Sequence, residues 1–170
     1  MQKFTKAITK VLEIILIILM AVIVLDVLWQ VFTRFILRDP SSYTEELAGF
    51  LLIWIGLLGA AYALYTKAHL GIDILTSKLQ GAKLHTAQVV IYVIVFLFAL
   101  FVLLIGGMRL VNMTLTLNQI SPALGIHMGY VYLVLPLSGI LMMFYSVVFI
   151  FQLWKNPADL KKESTVNPVD

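Results

Sequence analysis

The sequence has no cysteine and few charged residues. The absence of cysteine excludes disulfides, thiolate metal sites and a cysteine nucleophile. Only 12% of the 170 residues are charged, whereas 61% are hydrophobic, and the mean hydropathy is +0.99. A soluble domain of this size could not bury so much apolar surface, so the chain is predicted to be an integral membrane protein.

Catalytic and cofactor motifs are missing as well. The sequence has no HExxH pair, no phosphate-binding glycine loop and no grouping of Ser, His and Asp. Of its three histidines, His69 and His85 fall in one predicted loop, and His127 falls at the opposite end of the predicted bundle. This distribution does not provide the facing pair that bis-histidine haem ligation requires. We therefore expect no catalytic residue, no bound cofactor and no metal site.

Four long apolar runs account for most of the chain. None shows the alternation of apolar and polar residues that is typical of a barrel strand, so each is predicted to be a membrane-spanning helix. We predict an all-α membrane domain over residues 1–154, followed by a polar cytoplasmic tail over residues 155–170. The predicted spans cover about residues 9–35, 45–66, 86–112 and 128–153.

Two of these spans contain residues that bend helices. The pattern of the third span allows a helix as far as Leu117, which requires strong tilting or projection beyond the bilayer, whereas Gly106-Gly107 suits a bend. Pro136 lies inside the fourth span and predicts a kink there. The sequence has no internal repeat, although many secondary transporters have one.

The basic residues predict the orientation of the chain. Nine lysines fall in the N-terminal tail, the second loop and the C-terminal tail, whereas the three arginines fall in the first and third loops. By the positive-inside rule, both termini face the cytoplasm. The net charge of +3 follows from this topology, so we expect membrane lipids, and not nucleic acid, as partners. The arginines are Arg34 and Arg38 in the first loop and Arg109 near a helix end in the third.

The second span has polar residues at its start. Glu45 and Glu46 precede 20 residues without a charge, Leu47 to Thr66. As a helix these 20 residues cover about 30 Å, the thickness of a bilayer core. Ser42 as N-cap and Glu45 three residues later fit a capping box at the start of this helix.

Polar residues also follow the second span. His69 is expected to organise the turn after the helix, and Asp73 lies just beyond it. Apolar residues then recur at helical spacing, which predicts a short amphipathic helix on the cytoplasmic membrane surface. These residues are Ile72, Leu75, Leu79 and Ala82.

Asp26 is the acid that lies well inside a predicted span. A charge there costs several kcal/mol unless it is paired or hydrated. One interpretation is a proton or cation site. The other is a polar contact with a second helix or subunit, or hydration near Arg34, which follows eight residues later.

The first outer loop concentrates charged residues. Glu45 and Glu46 suit the positive end of a helix dipole, and capping with solvation explains them. Alternatively, one of them pairs with a basic residue of a partner protein. Arg34 and Arg38 flank the same loop with Asp39, and either partner contact or anchoring at the outer interface explains them.

Several short motifs follow one another along the chain. They are Arg34, Phe35, Glu45, Glu46, Leu47, Trp54, Gly59, His69 and Asp73, then Ser121-Pro122-Ala123-Leu124, Tyr132, Pro136 and Gly139. Their order resembles the small membrane subunit, of the DctQ type, of tripartite ATP-independent periplasmic (TRAP) transporters, and the likeness covers about residues 10–154. Thr44, with Tyr43 beside it, stands where this family often has a tryptophan before the acidic pair. Ser121-Pro122 also suits an N-cap and a first helical turn.

The resemblance implies a subunit of the bacterial inner membrane that scaffolds a large, elevator-type subunit. The large subunit is expected to hold the sodium and substrate sites, and a periplasmic binding protein to deliver an organic acid, either sialic acid or a C4-dicarboxylate. The candidates for partner contact are Asp26, Arg34, Arg38, Asp39, Glu45 and Glu46. The candidates for a structural role are Trp54, Gly59, His69, Asp73, Ser121, Pro122 and Pro136.

Two other functions remain open at the level of the sequence. A self-sufficient homodimeric exporter would use Asp26 for proton coupling. A membrane anchor of a respiratory enzyme would bind haem or quinone.

Overall fold

The computed structural model describes residues 2–38, 41–66 and 82–155, and these residues form helices joined by short connections. The described part contains no strand. Helix α1 (Gln2–Phe32) continues as a π-helical segment (Thr33–Leu37), and α2 follows (Ser42–Tyr65). Helix α3 (Ala82–Phe98), a second π-helical segment (Ala99–Gly106) and α4 (Gly107–Thr116) form one continuous rod. Helices α5 (Met128–Tyr132) and α6 (Val134–Lys155) complete the chain.

The described residues form four helical segments that are long and apolar enough to cross a membrane. This confirms the predicted fold class. The first to fourth spans are Thr5–Leu37, Ser42–Tyr65, Leu84–Thr116 and Met128–Trp154. We call the end of the bundle that carries Glu46 the outer end, and the end that carries Tyr145 the inner end. The cytoplasmic location of both termini stays a prediction.

The helix of the third span reaches almost to Leu117, the limit that its sequence pattern allowed. Its helix continues to Thr116 and stops where Asn118 adopts a left-handed backbone conformation, with φ of 50°. Arg109 therefore lies inside the span, and its assignment to an outer loop was wrong. The basic residues still favour the same orientation, because the correction removes one arginine from the outer count.

Several predicted features lie outside the described residues. They are most of the amphipathic helix, the residues His69, Asp73 and Asp39, and the tail from residue 156 onward. These remain predictions.

The first and second spans pack along a regular seam. The more buried residues of the first span recur alternately every four and three residues, the spacing of a left-handed coiled-coil seam. At the outer end of the seam, the indole Nε1 of Trp29 donates to the hydroxyl of Tyr43 at 3.0 Å. The seam residues are Thr5, Thr9, Leu12, Leu16, Leu19, Ile23, Asp26, Gln30 and Thr33.

The fourth span is the centre of the bundle. In its most apolar window 44% of residues are buried within the chain, against 11% to 17% in the other spans. It packs against the second span on one side and against the third on the other. Because lipid tails are as apolar as the side chains, close packing and interhelical hydrogen bonds must hold it there.

All four spans meet in an aromatic cluster near the inner end. Tyr145 is fully buried, and its hydroxyl lies 3.1 Å from the Oγ1 of Thr9 in the first span. The rings of Tyr65 and Tyr145 have centroids 5.3 Å apart. Tyr92 of the third span stacks on Phe149 of the fourth at 5.2 Å. The cluster therefore ties every span to the fourth.

A glycine permits the third and fourth spans to approach each other closely. A Cβ added at Gly139 would lie 3.1 Å from the carbonyl oxygen of Ala99 and 2.9 Å from the Cβ of Leu103. Ala99, Leu103 and Gly107 are all buried and are spaced by four residues. A π-helical turn is wider than an α-helical one, so the π-helical segment keeps this spacing on one face toward the fourth span.

Replacing Gly139 with alanine tests this contact. We expect a loss of about 1–3 kcal/mol in the free energy of unfolding, because the added Cβ meets backbone atoms that cannot move independently. Unfolding of the isolated chain in mixed micelles by a denaturing detergent measures the change.

Gly59→Ala is the matched control in the second span. No atom lies within 4 Å of a Cβ at Gly59, so the change is expected to be neutral or stabilising by up to about 1 kcal/mol. Equal losses for the two variants would contradict the close contact.

Candidate functional site

The second span begins one residue earlier than the predicted capping box requires. Ser41, with φ −80° and ψ 109°, is the N-cap, and no side chain caps the helix. The buried hydroxyl of Thr44 donates to the carbonyl oxygen of Ser41 at 2.8 Å and also pairs with the hydroxyl of Ser41. This pairing fixes the helix start and leaves Glu45 exposed. The assignment of Ser42 as N-cap with Glu45 as its partner was therefore wrong.

Ser121 and Pro122 form a separate turn before the fourth span. The N–H of Leu124 donates to the Oγ of Ser121 at 3.2 Å, and the N–H of Gly125 donates to its carbonyl oxygen at 3.0 Å. The chain then leaves this turn at Gly125, whose φ of +67° favours glycine. Helix α5 starts only at Met128. Ser121 thus caps one turn, and not the helix for which the sequence suggested it.

Glu46 connects this turn to the second span. Its Oε2 accepts the N–H of Ala123 at 3.0 Å and the N–H of Leu124 at 2.9 Å. Hydrogen bonds from backbone N–H groups to a carboxylate are charge-assisted and therefore strong. We call these two bonds the Glu46 clamp. The clamp joins segments 77 residues apart. It brings the acidic pair Glu45-Glu46 into contact with the Ser121 to Leu124 motif.

A groove lies beside the Glu46 clamp at the outer end. It has a volume of about 370 Å³ and is open to the surface. Glu45 contributes an exposed carboxylate, while the turn contributes an apolar edge. The lining residues are Ser42, Glu45, Glu46, Pro122 and Ala123. This combination suits contact with a positively charged partner surface.

The arginines of the first span do not line this groove. Arg34 and Arg38 are exposed, and neither forms an ion pair with a described residue. Arg38 ends the first span in a left-handed conformation, with φ of 55°, and its N–H donates to the carbonyl of Thr33. The structure therefore brings together Glu45, Glu46 and the 121–124 turn, but not the arginines.

Asp26 faces the interior of the chain. It occupies a seam position in the first span, is 9% exposed, and its Oδ2 has no hydrogen-bond partner among the described residues. A role in contact with another subunit stays a prediction. Its burial against the second span favours a contact within the chain.

Trp54 and Pro136, two of the structural candidates, both concern the start of the fourth span. The indole Nε1 of Trp54 donates to the carbonyl of Val131 at 3.1 Å. The helix of the fourth span is interrupted at Leu133, three residues before Pro136, which has no N–H to donate to the preceding turn. Trp54 therefore fastens the second span to the irregular part of the fourth. Gly59, by contrast, has no close neighbour in the described chain.

The histidines with described positions have separate neighbours. The Nε2 of His85 lies 3.3 Å from the carbonyl of Leu153, and the Nε2 of His127 lies 2.9 Å from the Oδ1 of Asn118. No group of three His, Asp or Glu residues suited to a metal ion occurs among the described residues.

Three polar contacts were not predicted from the sequence. They are Thr9 with Tyr145, Trp29 with Tyr43, and Thr44 with Ser41. Each hydroxyl lies in or beside an apolar run, which is the signal that could have found them, because hydroxyl groups inside membranes usually find a partner.

The sequence is similar to those of known membrane-transport proteins. The sequence matches the family described as "Tripartite ATP-independent periplasmic transporters, DctQ component" over residues 23–156. It is 30% identical over 155 residues to the sialic acid TRAP transporter small permease protein SiaQ of Vibrio cholerae, covering 91% of this chain and 88% of that protein.

Two longer proteins contain a related region. The sialic acid TRAP transporter permease protein SiaT of Haemophilus influenzae is 30% identical over 120 residues, covering 68% of this chain and 18% of that protein. The isethionate TRAP transporter permease protein DctMQ of Oleidesulfovibrio alaskensis is 33% identical over 98 residues, covering 58% of this chain and 15% of that protein.

Removing the acceptor of the Glu46 clamp is expected to loosen the 121–124 turn. In a Glu46→Ala variant, the amide hydrogens of Ala123 and Leu124 should exchange with solvent several-fold faster, because Ala123 loses its acceptor and Leu124 keeps only the longer bond to the Oγ of Ser121. Hydrogen exchange followed by mass spectrometry measures this change. Glu45→Ala is the matched control, and similar exchange in both variants would show that the clamp does not hold the turn.

Proposed function

Because the chain belongs to the DctQ family of small membrane subunits of TRAP transporters, we propose that it acts as a fixed scaffold beside the large permease subunit. TRAP small subunits partner with a large permease subunit, and this chain is a multi-pass membrane protein. In our proposal the large subunit moves as an elevator and holds the sodium and substrate sites. The small subunit enlarges the immobile body against which the elevator moves.

The Glu46 clamp is the observation that carries this proposal. It joins the start of the second span to the turn before the fourth, while Tyr145 and Phe149 contact the other three spans near the inner end. A bundle fastened at both ends suits a stationary part. The second span also has no charge between Leu47 and Thr66, which does not suit a transport path.

We further propose that the outer end helps to dock a periplasmic substrate-binding protein. Glu45 is exposed beside the groove, and Arg34 and Arg38 are exposed on the first span. None of the three forms an ion pair with a described residue. Such charges remain available to a partner and would guide its approach, as charges at the rim of an interface do.

The proposed cargo is an organic acid, either sialic acid or a C4-dicarboxylate. Sialic acid appears in the names of two relatives, SiaQ and SiaT, and this supports it for the present system. The proposed location is the bacterial inner membrane, with both termini in the cytoplasm, as the distribution of lysines favours. We propose no catalytic role for the chain.

Charge reversal at Glu45 tests the docking part of the proposal. In proteoliposomes that contain both membrane subunits, Glu45→Lys should raise several-fold the concentration of binding protein needed for half-maximal uptake. The maximal rate should change little, because a rim charge acts mainly on association. Added salt should reduce the difference from the wild-type protein.

Lys10→Glu is the control, since Lys10 is an exposed charge near the opposite end of the first span. It should leave the dependence on binding protein unchanged. If reversals at Glu45, Arg34 and Arg38, made singly and together, leave uptake unchanged at every concentration of binding protein, the docking part is wrong.

A further inference from the structure

Arg109 is an exposed charge on the third span. Arg109, Asn112 and Thr116 follow each other at helical spacing and lie on one face of α4, opposite the buried residues Val111 and Thr114. Neither Arg109 nor Asn112 has a side-chain hydrogen bond or an ion pair with any described residue. We call this face of α4 the Arg109 face.

The depth of Arg109 can be measured from the outer end by contacts between spans. Trp54 lies eight residues beyond Glu46 in α2, about 12 Å along the helix axis. The bond from Trp54 to the carbonyl of Val131 places Val131 at a similar depth. Pro136 follows five residues later, at roughly 20 Å from Glu46.

Gly107 lies beside Pro136, because a Cβ on Gly107 would be 3.1 Å from the Cδ of Pro136. Arg109 is two residues nearer the outer end, at a depth of about 16 Å. Tyr145 lies nine residues beyond Pro136, so Arg109 is also about 16 Å from the inner aromatic cluster. With a hydrocarbon core of about 30 Å, Arg109 is close to the middle of the bilayer.

An exposed arginine at this depth needs a partner that lipid tails do not provide. A charged side chain in the centre of a bilayer is costly, and such residues nearly always face protein or a water-filled cavity. Both membrane surfaces are too distant for the side chain to reach them easily. The Arg109 face is therefore unsuited to lipid.

The described residues of a second copy do not offer the complementary charge at this depth. Among the described acids, Asp26 is buried in the seam of the first span. Glu13 is exposed, but it lies four residues from Thr9, which contacts Tyr145, so its depth differs from that of Arg109 by about 10 Å. Glu45 lies at the outer end. The partner is thus a different membrane protein.

We propose that the Arg109 face binds the large permease subunit, through an acidic side chain on a membrane helix of that subunit. The proposal rests on the proposed scaffold function. Asn112 adds a hydrogen-bonding group one turn toward the outer end. The pair would be formed in a region without water, where one charge left without the other is strongly unfavourable.

Arg109→Leu should have opposite effects with and without the large subunit. When both subunits are expressed and the small one is tagged, the amount of large subunit that co-purifies should fall by at least about tenfold, because its acid is left unpaired. When the small subunit is expressed alone, the variant should accumulate in the membrane to a higher level than the wild type, because leucine tolerates lipid.

Two matched variants accompany this experiment. Arg109→Lys keeps the charge and should retain most of the complex. Arg34→Leu removes an exposed arginine at the outer end of the first span. It should not combine a loss of co-purified large subunit with a gain in accumulation of the small subunit alone. The inference is overturned if Arg109→Leu co-purifies with the large subunit as the wild type does. If the wild type itself fails to co-purify, the scaffold function is wrong instead.

If the Arg109→Leu variant does not accumulate in the membrane, with or without the large subunit, cross-linking from a cysteine at position 112 tests the proposal instead. The chain has no cysteine, so Asn112→Cys gives a single site for a bifunctional cross-linker. Cross-linking to the large subunit is the expected result. Cross-linking only between two small subunits, or no cross-linking in a complex that co-purifies, would contradict the proposal.

Discussion

The aromatic cluster around Tyr145 and Phe149 joins the fourth span to the other three and holds the inner end of the bundle together. In a bilayer, apolar side chains gain little by leaving lipid, so helices associate through close packing and hydrogen bonds. Tyr145 contributes both, because its ring packs against Tyr65 and its hydroxyl meets that of Thr9. Phe149, one turn further, extends the contact to Tyr92 of the third span. Because these contacts all start from the fourth span, the fourth span lies at the centre of the bundle.

The outer end is fixed by polar contacts of a different kind. Glu46 accepts two backbone N–H groups of the 121–124 turn, and Trp54 donates to a backbone carbonyl where the fourth span is irregular. All three bonds run from the second span to the segment around the start of the fourth. Between the two ends, the absence of a side chain at Gly139 lets the third and fourth spans touch backbone to backbone. A four-helix unit that is fastened at both ends and at its middle suits a stationary support.

The presence of four spanning helices could be predicted from the sequence because the signal for a span is local. Runs of about 20 apolar residues with polar ends define a membrane helix without knowledge of its neighbours. The Glu46 clamp could not be predicted, since it joins residues 77 positions apart, and the Thr9 to Tyr145 contact joins residues 136 apart. The predicted N-cap was wrong by one residue, because the hydroxyl of Thr44 bonds to Ser41 and the helix therefore starts after Ser41. Arg109 was misplaced because an arginine in an apolar run resembles the end of a span until the packing of Gly107 on Pro136 shows its depth.

The most direct test of the scaffold function is a distance within the small subunit during transport. Spin labels on Leu37→Cys and Ile120→Cys would report the separation of the first span and the outer turn, because both side chains are exposed and the chain has no other cysteine. Double electron–electron resonance on the assembled transporter should give the same mean distance, within about 2 Å, with and without sodium and substrate. A change of about 5 Å or more, comparable to a shift by one helical turn, would show that the small subunit changes shape during transport and would contradict its role as a fixed scaffold.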